Sequence, residues 1–361
     1  MSSDGVTPRS VLPRIGVIGG GHLGRIHAKL LSANSECELV GVADPSFHAR
    51  KLVQSQLSAA TVEDYRNWDS MVDGVVVAAP TFLHYEIGAW CLKRGLHVLM
   101  EKPMASTLSE AVQLTHLAKA NGCTLQVGHV ERFNPAWQLA APYFDRDTIR
   151  YIEVAREGTY SGRSTDIGIV MDLMIHDIDL ILSVVQSPID SISAYGWSAL
   201  GEHEDFAAAS LRFRNGSSAS LRASRLSPLP KRQMQIYSDG GLTEVDFASG
   251  TVSRTCAHED VADGSRQADQ LPPEQRAKVK DDLYSKWLHR SNERGDSSNA
   301  IECEHREFLH AVRTGSGVTV SGDDGCRAIE IASRILDQVA SNRPSRSIIP
   351  SADRFGKTKA A

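Results

Sequence analysis

The chain has no CxxC pair. Its six cysteines, Cys37, Cys91, Cys123, Cys256, Cys303 and Cys326, are scattered through 361 residues at no zinc-ligand spacing, which argues against a metal site and a disulfide framework and fits a reducing, cytoplasmic compartment. It lacks a positive excess as well: 39 Lys and Arg stand against 44 Asp and Glu, a net charge of -5. No overall basic field is left to attract a nucleic-acid backbone. No apolar run is long and clean enough for a bilayer, since residues 169–185 are broken by Asp172, His176, Asp177 and Asp179 and fall short of the roughly 20 residues that a crossing needs. The opening MSSDGVTPRS has neither the apolar core nor the cleavage pattern of a secretion signal. Internal repeats and low-complexity blocks are missing too. What is present, 41% hydrophobic and 23% charged residues, is ordinary globular composition at a length for two or three domains.

From residue 14 to 127 short apolar runs alternate with longer amphipathic stretches. The runs at 15–18, 39–43, 75–79, 97–100 and 124–127 are spaced as repeated strand–helix units, which predicts a doubly wound parallel α/β sheet. Helices are expected at 22–33, 46–56, 83–94 and 108–121, with Gly95 and Gly122 as stops after the last two. Beyond Pro135 a lone helix at 166–186 precedes runs at 192–195, 207–214, 217–224, 233–237 and 242–247, which read as an antiparallel meander. Asn215-Gly216 marks a hairpin. Residues 255–299 read as a loop-rich insertion with one helix near 274–288, and 302–312 and 326–339 resume helical spacing. The expected division is a disordered tail at 1–12, a nucleotide-binding domain at 13–135, an α+β domain for substrate and oligomerisation at 136–350, and a flexible tail at 351–361.

The first run leads into Gly19-Gly20-Gly21-His22-Leu23-Gly24, a G-x-G-x-x-G between a strand and a helix. The first glycine permits the tight turn, the second lets backbone approach a pyrophosphate, and the third lets helix pack on strand. The helix amino terminus then offers free N–H groups to the anion. Alone the pattern is also that of an ordinary glycine-rich turn. Asp44, twenty residues after Gly24 and at the end of the second run, strengthens it: a carboxylate there accepts the ribose hydroxyls of NAD and repels the extra phosphate of NADP. The competing role for Asp44 is turn formation before Pro45.

The run ending at Met100 delivers Glu101-Lys102-Pro103 to the sheet edge where ligands of open α/β folds bind. A lysine there can stabilise an alkoxide, although an isolated Glu-Lys is more often a surface ion pair. At helical spacing Asp172, His176, Asp179 and Ser183 share one face of an otherwise apolar helix, a stripe that suits a cleft or a polar network. In Asp-x-x-x-His the carboxylate can orient an imidazole able to carry a proton near neutral pH. A metal site is the weaker alternative, because no fourth ligand is evident.

GGGHLG, Asp44, VVVAAPTFLHYEIGAWCLKRGLHVLMEKP and DLMIHDIDL together resemble the Gfo/Idh/MocA family of nicotinamide-dependent sugar oxidoreductases. That resemblance implies a Rossmann domain followed by an α+β domain with a large open antiparallel sheet, through which homodimers or homotetramers form. It implies catalytic roles for Lys102, Asp172 and His176, and a place near the nicotinamide for Pro80 and His84. The expected NAD contacts are Gly19, Gly21, His22, Leu23, Gly24, Asp44, Pro80, His84, Glu101 and Lys102. VGHVERFNPA, STDIGIVMDLMIHDIDLIL and ASRLSP resemble the branch of the family that oxidises the 3-hydroxyl of UDP-N-acetylglucosamine for a following aminotransferase in lipid A assembly. Met174, where many members have Gly, and residues 255–299 depart from the pattern. For a UDP-sugar the expected phosphate-side contacts are Arg132, Arg163, Arg225 and Arg232, with Arg132 foremost because ERFNP follows a strand end beside the cleft. Which of Lys102 and His176 takes the hydroxyl proton stays open. Two rival readings keep the fold: a dehydrogenase of a free polyol such as myo-inositol, and a non-catalytic NAD-binding regulator.

Overall fold

The computed structural model describes residues 12–160, 162 and 167–342. Apart from Leu12, both expected tails lie outside the described residues, as does Arg163.

Six strands, β1 (Arg14–Ile18), β2 (Glu38–Ala43), β3 (Thr61–Val62), β4 (Gly74–Val77), β5 (His97–Glu101) and β6 (Leu125–Gly128), form one sheet in the order β3-β2-β1-β4-β5-β6. Every pairing in it is parallel. Five of the strands sit on the apolar runs. The sixth, β3, is a two-residue edge strand, too short to leave a period in the sequence. Burial on both faces explains the unbroken GVVV of β4, all four residues of which are buried. Helices α1 (His22–Ser32), α2 (Phe47–Leu57), α3 (Thr81–Leu92) and α4 (Leu108–Ala120) cover the faces. The strand order reverses between β1 and β4, and a crevice opens outside their carboxyl ends.

The second sheet holds eight strands: β7 (Ile149–Thr159), β8 (Ile189–Trp197), β9 (Phe206–Phe213), β10 (Ser218–Ser224), β11 (Leu226–Ser238), β12 (Gly241–Asp246), β13 (Thr251–Ala257) and β14 (Leu288–Arg294). Their order is β14-β13-β12-β11-β7-β10-β9-β8. It is mostly antiparallel, but β10 runs parallel to β7, so it is not a pure meander. Asn215-Gly216 does turn the β9–β10 hairpin, with Gly216 at φ +90°. Residues 255–299 hold a one-turn helix, α7 (Glu259–Ala262); then, over the expected helix near 274–288, α8 (Pro273–Arg276), α9 (Val279–Asp282) and a π-helical turn at Leu283–Trp287; and after them the edge strand β14, where a loop was expected.

Between and after the sheets lie α5 (Pro135–Ala140), α6 (Ile175–Val184), α10 (Ala300–Thr314) and α11 (Gly322–Ser341). The expected helix at 166–186 is shorter and begins with a π-helical turn, Val170–Met174, before α6. One apolar core runs from Met100 and Val127 of the first sheet through Val170, Met174 and Ile178 to Ala209 and Leu221 of the second. A smaller core under the other face of the first sheet packs Ile15, Val17, Val76 and Leu99 against Phe308 and Leu309 of α10. The late helix α10 thus completes the early sheet.

Candidate active site

Gly19 leaves β1 at φ +108°, and a Cβ there would lie 2.5 Å from the Ala78 carbonyl oxygen, so only glycine makes this turn. At Gly24 a Cβ would meet the Gly19 oxygen at 1.9 Å, whereas at Gly21 it would meet nothing within 4 Å. The close packing and the open face fall where a dinucleotide turn needs them. Gly21 caps α1 without a side-chain hydrogen bond, and the first N–H groups of α1, from His22 and Leu23 on, are free for an anion. Asp44 Oδ2 accepts the Gly20 N–H at 2.7 Å and Oδ1 accepts the Ser46 N–H at 2.7 Å. It therefore shapes the turn while lining a cleft of about 530 Å³ with Gly19, Pro80, Tyr65 and Glu63. Arg50, the nearest following cation, donates to the carbonyls of Asp44 and Pro45 at 2.7 and 2.9 Å. These residues fit NAD.

At the end of β5, Lys102 reaches across to the second half of the chain. Its Nζ donates to the Asp172 carbonyl at 2.6 Å and to Asp172 Oδ1 at 3.0 Å. Asp172 and His176 line a second cleft, of about 250 Å³, with Arg225, Arg232 and Tyr160. Burial first, and the Lys102 ammonium next, hold the His176 imidazole well below the ordinary histidine range, which keeps the ring neutral. His176 Nδ1 has no hydrogen-bond partner among the described residues. Asp172 thus engages Lys102, and the expected Asp172–His176 contact is absent.

Farther along, the polar stripe parts company. Asp179 points inward, where Arg132 grips it from Nε and Nη2 at 2.6 and 2.9 Å, and Ser183 returns its hydroxyl to the Leu180 carbonyl. Arg132, expected on the diphosphate, is instead buried and committed to that carboxylate. Asp177 is held by Arg156 Nη2 at 2.7 Å, and Arg156 Nη1 also reaches Glu131 Oε1 at 2.8 Å. Burial opposes ionisation of Glu131, but Arg156 and Arg232 hold its carboxyl below the ordinary range. Arg232 pairs with Glu131 at one end and faces the cleft at the other.

Two family profiles match the chain: an oxidoreductase family with an NAD-binding Rossmann fold over residues 13–129, and the GFO/IDH/MocA C-terminal domain over residues 145–244. The UDP-N-acetylglucosamine 3-dehydrogenase of Acidithiobacillus ferrooxidans is 35% identical over 240 residues, 66% of this chain and 75% of that one. The chain belongs to the Gfo/Idh/MocA oxidoreductase family. It is an NAD-binding oxidoreductase. The solved structure of the Acidithiobacillus enzyme superposes with a TM-score of 0.80 at 28% identity, covering 92% of this chain and 99% of that chain. The myo-inositol 2-dehydrogenase of Thermotoga maritima is 25% identical over 335 residues, 88% of this chain and 93% of its own length.

Several residues read from the family pattern sit elsewhere than expected. His84 is buried and spans the carbonyls of Ala79 and Pro103, 2.8 Å from each. Burial holds its ring below the ordinary range, so the neutral imidazole donates to one of them at a time, and it ties the turn after β4 to the Lys102-Pro103 segment. The Glu101 side chain also turns into the core, towards His27. Arg225 does line the sugar-side cleft, with Nε on Asp205 Oδ1 at 2.5 Å and its guanidinium 5.4 Å from the Tyr160 ring. Sequence reasoning passed over His129, buried edge-on to His176 with ring centres 6.1 Å apart, and the Arg156–Glu131 pair. The GHVERFNP string carried that signal, but its charges face inward.

Proposed function

We propose that the protein is an NAD-dependent sugar dehydrogenase that oxidises the 3-hydroxyl of UDP-N-acetylglucosamine to a ketone. The observation that carries this reading is the 3.0 Å contact between Lys102 Nζ of the cofactor half and Asp172 Oδ1 of the other half, where Asp172 lines a cleft with His176. Bound NAD supplies the acceptor for the hydride leaving the sugar carbon. Lys102 spends two of its three donors on Asp172 and keeps one for the substrate oxygen as negative charge grows there. His176, neutral and lining the cleft, takes the hydroxyl proton. In this reading lysine is the electrostatic support and imidazole the base.

The nucleotide part of the substrate is favoured by the cations. Arg225 and Arg232 enter the same cleft beside the flat face of Tyr160, and a free polyol offers no anion for either guanidinium. The Acidithiobacillus relative, named for UDP-N-acetylglucosamine, supports the same choice. Homo-oligomers fit the second sheet, whose β8 exposes Tyr195 and Trp197. A 3-keto product suits an aminotransferase as the next enzyme, in keeping with lipid A assembly.

The test is NADH absorbance with UDP-N-acetylglucosamine and with myo-inositol, each with and without an aminotransferase to consume ketone. Turnover of the nucleotide sugar at least about tenfold above the polyol, a gap of about 1.4 kcal/mol, supports the reading. Equal or greater turnover of myo-inositol overturns it.

A further inference from the structure

Glu101 neighbours Lys102 in sequence, yet its side chain leaves the cleft and is only 8% exposed. Its Oε1 lies 2.8 Å from His27 Nε2, and its Oε2 accepts the backbone N–H of Lys102 at 3.1 Å. His27 continues the chain: its Nδ1 is 2.7 Å from His305 Nε2. Three elements distant in sequence meet there. His27 belongs to α1, the helix whose amino terminus faces the phosphate turn, Glu101 ends β5, and His305 comes from α10.

The hydrogen-bond pattern places the proton at one end of this chain. Burial works against a charge on Glu101, but the bond and charge of His27 together with the charge and backbone N–H of Lys102 outweigh it and hold the carboxyl below the ordinary range. A carboxylate only accepts, so His27 Nε2 carries the proton. Between His27 Nδ1 and His305 Nε2 one nitrogen donates and the other accepts. Burial, with His27 adding to it, pushes His305 down to about 3, and its Nδ1 is buried without a partner among the described residues.

We infer that His305, His27 and Glu101 form a positioning chain that locks the Lys102 peptide to the cofactor-binding helix and takes its anchor from the far end of the sequence. Asp172 fixes the lysine at its tip, and Glu101 fixes it at its root. Together they leave the ammonium little freedom except along the cleft. The inference rests on the reading that Lys102 acts beside the nicotinamide.

Four single variants, Lys102→Ala, Glu101→Gln, His305→Leu and His305→Gln, and one double variant test it, each followed by melting, NADH binding, and kcat and KM for a sugar the unaltered protein oxidises. A loosened reacting group costs rate rather than sugar affinity, so Glu101→Gln and His305→Leu are expected to lower kcat about ten- to a hundredfold with KM within about threefold. His305→Gln keeps an N–H at that end of the chain and is expected within about threefold of the original kcat. The double variant Glu101→Gln/His305→Leu is expected to be no worse than its poorer parent, because links of one chain do not add. Full kcat in Glu101→Gln, or equal kcat in His305→Leu and His305→Gln, overturns the chain. If His305→Leu does not fold, Glu101→Gln and His305→Gln decide alone. An inactive Lys102→Ala beside active chain variants defeats this inference only, whereas an active Lys102→Ala defeats the underlying reading and the chain with it.

Discussion

Two ion pairs join the early half of the chain to the segment around α6, and they differ in what they leave unbonded. On the cleft side Lys102 meets Asp172 with side chains 14% and 21% exposed, while on the core side Arg132 meets Asp179 at 10% and 2%. Arg132 closes two parallel bonds on one carboxylate and has little left to offer a ligand. Lys102 retains a donor, and the neutral His176 ring lines the cleft with Asp172. The residue types are alike. Unspent hydrogen-bonding capacity at an opening separates a site from a strut.

The comparison breaks if the cleft side proves structural. Lys102→Ala or His176→Ala is expected to reduce kcat about 10²- to 10⁴-fold while melting and NADH binding stay near the original values; turnover with saturating NAD and sugar measures it. The core side should answer in the opposite currency. Arg132→Ala strands the Asp179 carboxylate, and urea unfolding is expected to register a loss of about 3–5 kcal/mol. A stable Arg132→Ala protein with poor kcat would reverse the two assignments.

A smaller effect sharpens the contrast by adding a buried acid with no partner. Burial first, then the Glu101 charge, raise the Glu304 carboxyl well above its ordinary range, and neither of its oxygens has a partner among the described residues. A carboxyl whose folded pKa lies above its unfolded one stabilises the fold in its protonated form. That stability is lost as pH rises from the ordinary glutamate range toward the raised value. Glu304→Gln is therefore expected to melt higher than the original protein as pH rises above the ordinary glutamate range, with the difference vanishing at lower pH. His305 acts on the other flank: with its folded pKa down at about 3, stability present above the ordinary histidine range is lost as pH falls towards that value. Melting scans of both proteins across pH measure both slopes.

What could be read without coordinates was what neighbours in sequence decide together. Gly19 to Gly24 and Asp44 are one strand–turn–helix–strand unit, and their chemistry follows from local geometry. The strands β7 and β14 escaped because IRYIEVAREGT and LHRSNER mix charge into sheet positions, the first to carry the buried Arg156 and the second as a polar edge. Arg132 was misread for a related reason. An arginine after a strand end looks like a phosphate hand until its partner, 47 residues away, is seen to hold it. Spacing places four residues on one broad face but does not say how far the cleft extends along it, so the stripe looked continuous when only Asp172 and His176 line the cleft and Asp179 turns to Arg132.

Phe308 and Leu309, lodged beneath the first sheet, make the boundary between the two halves a poor place to cut. A fragment ending before α10 would surrender the floor of its own nucleotide half and display an oily scar where those side chains had been. Grafting a relative's cofactor module onto this scaffold therefore calls for transplanting Ala300–Thr314 along with it, since inheritance of that module is discontinuous in the gene although it is continuous in space.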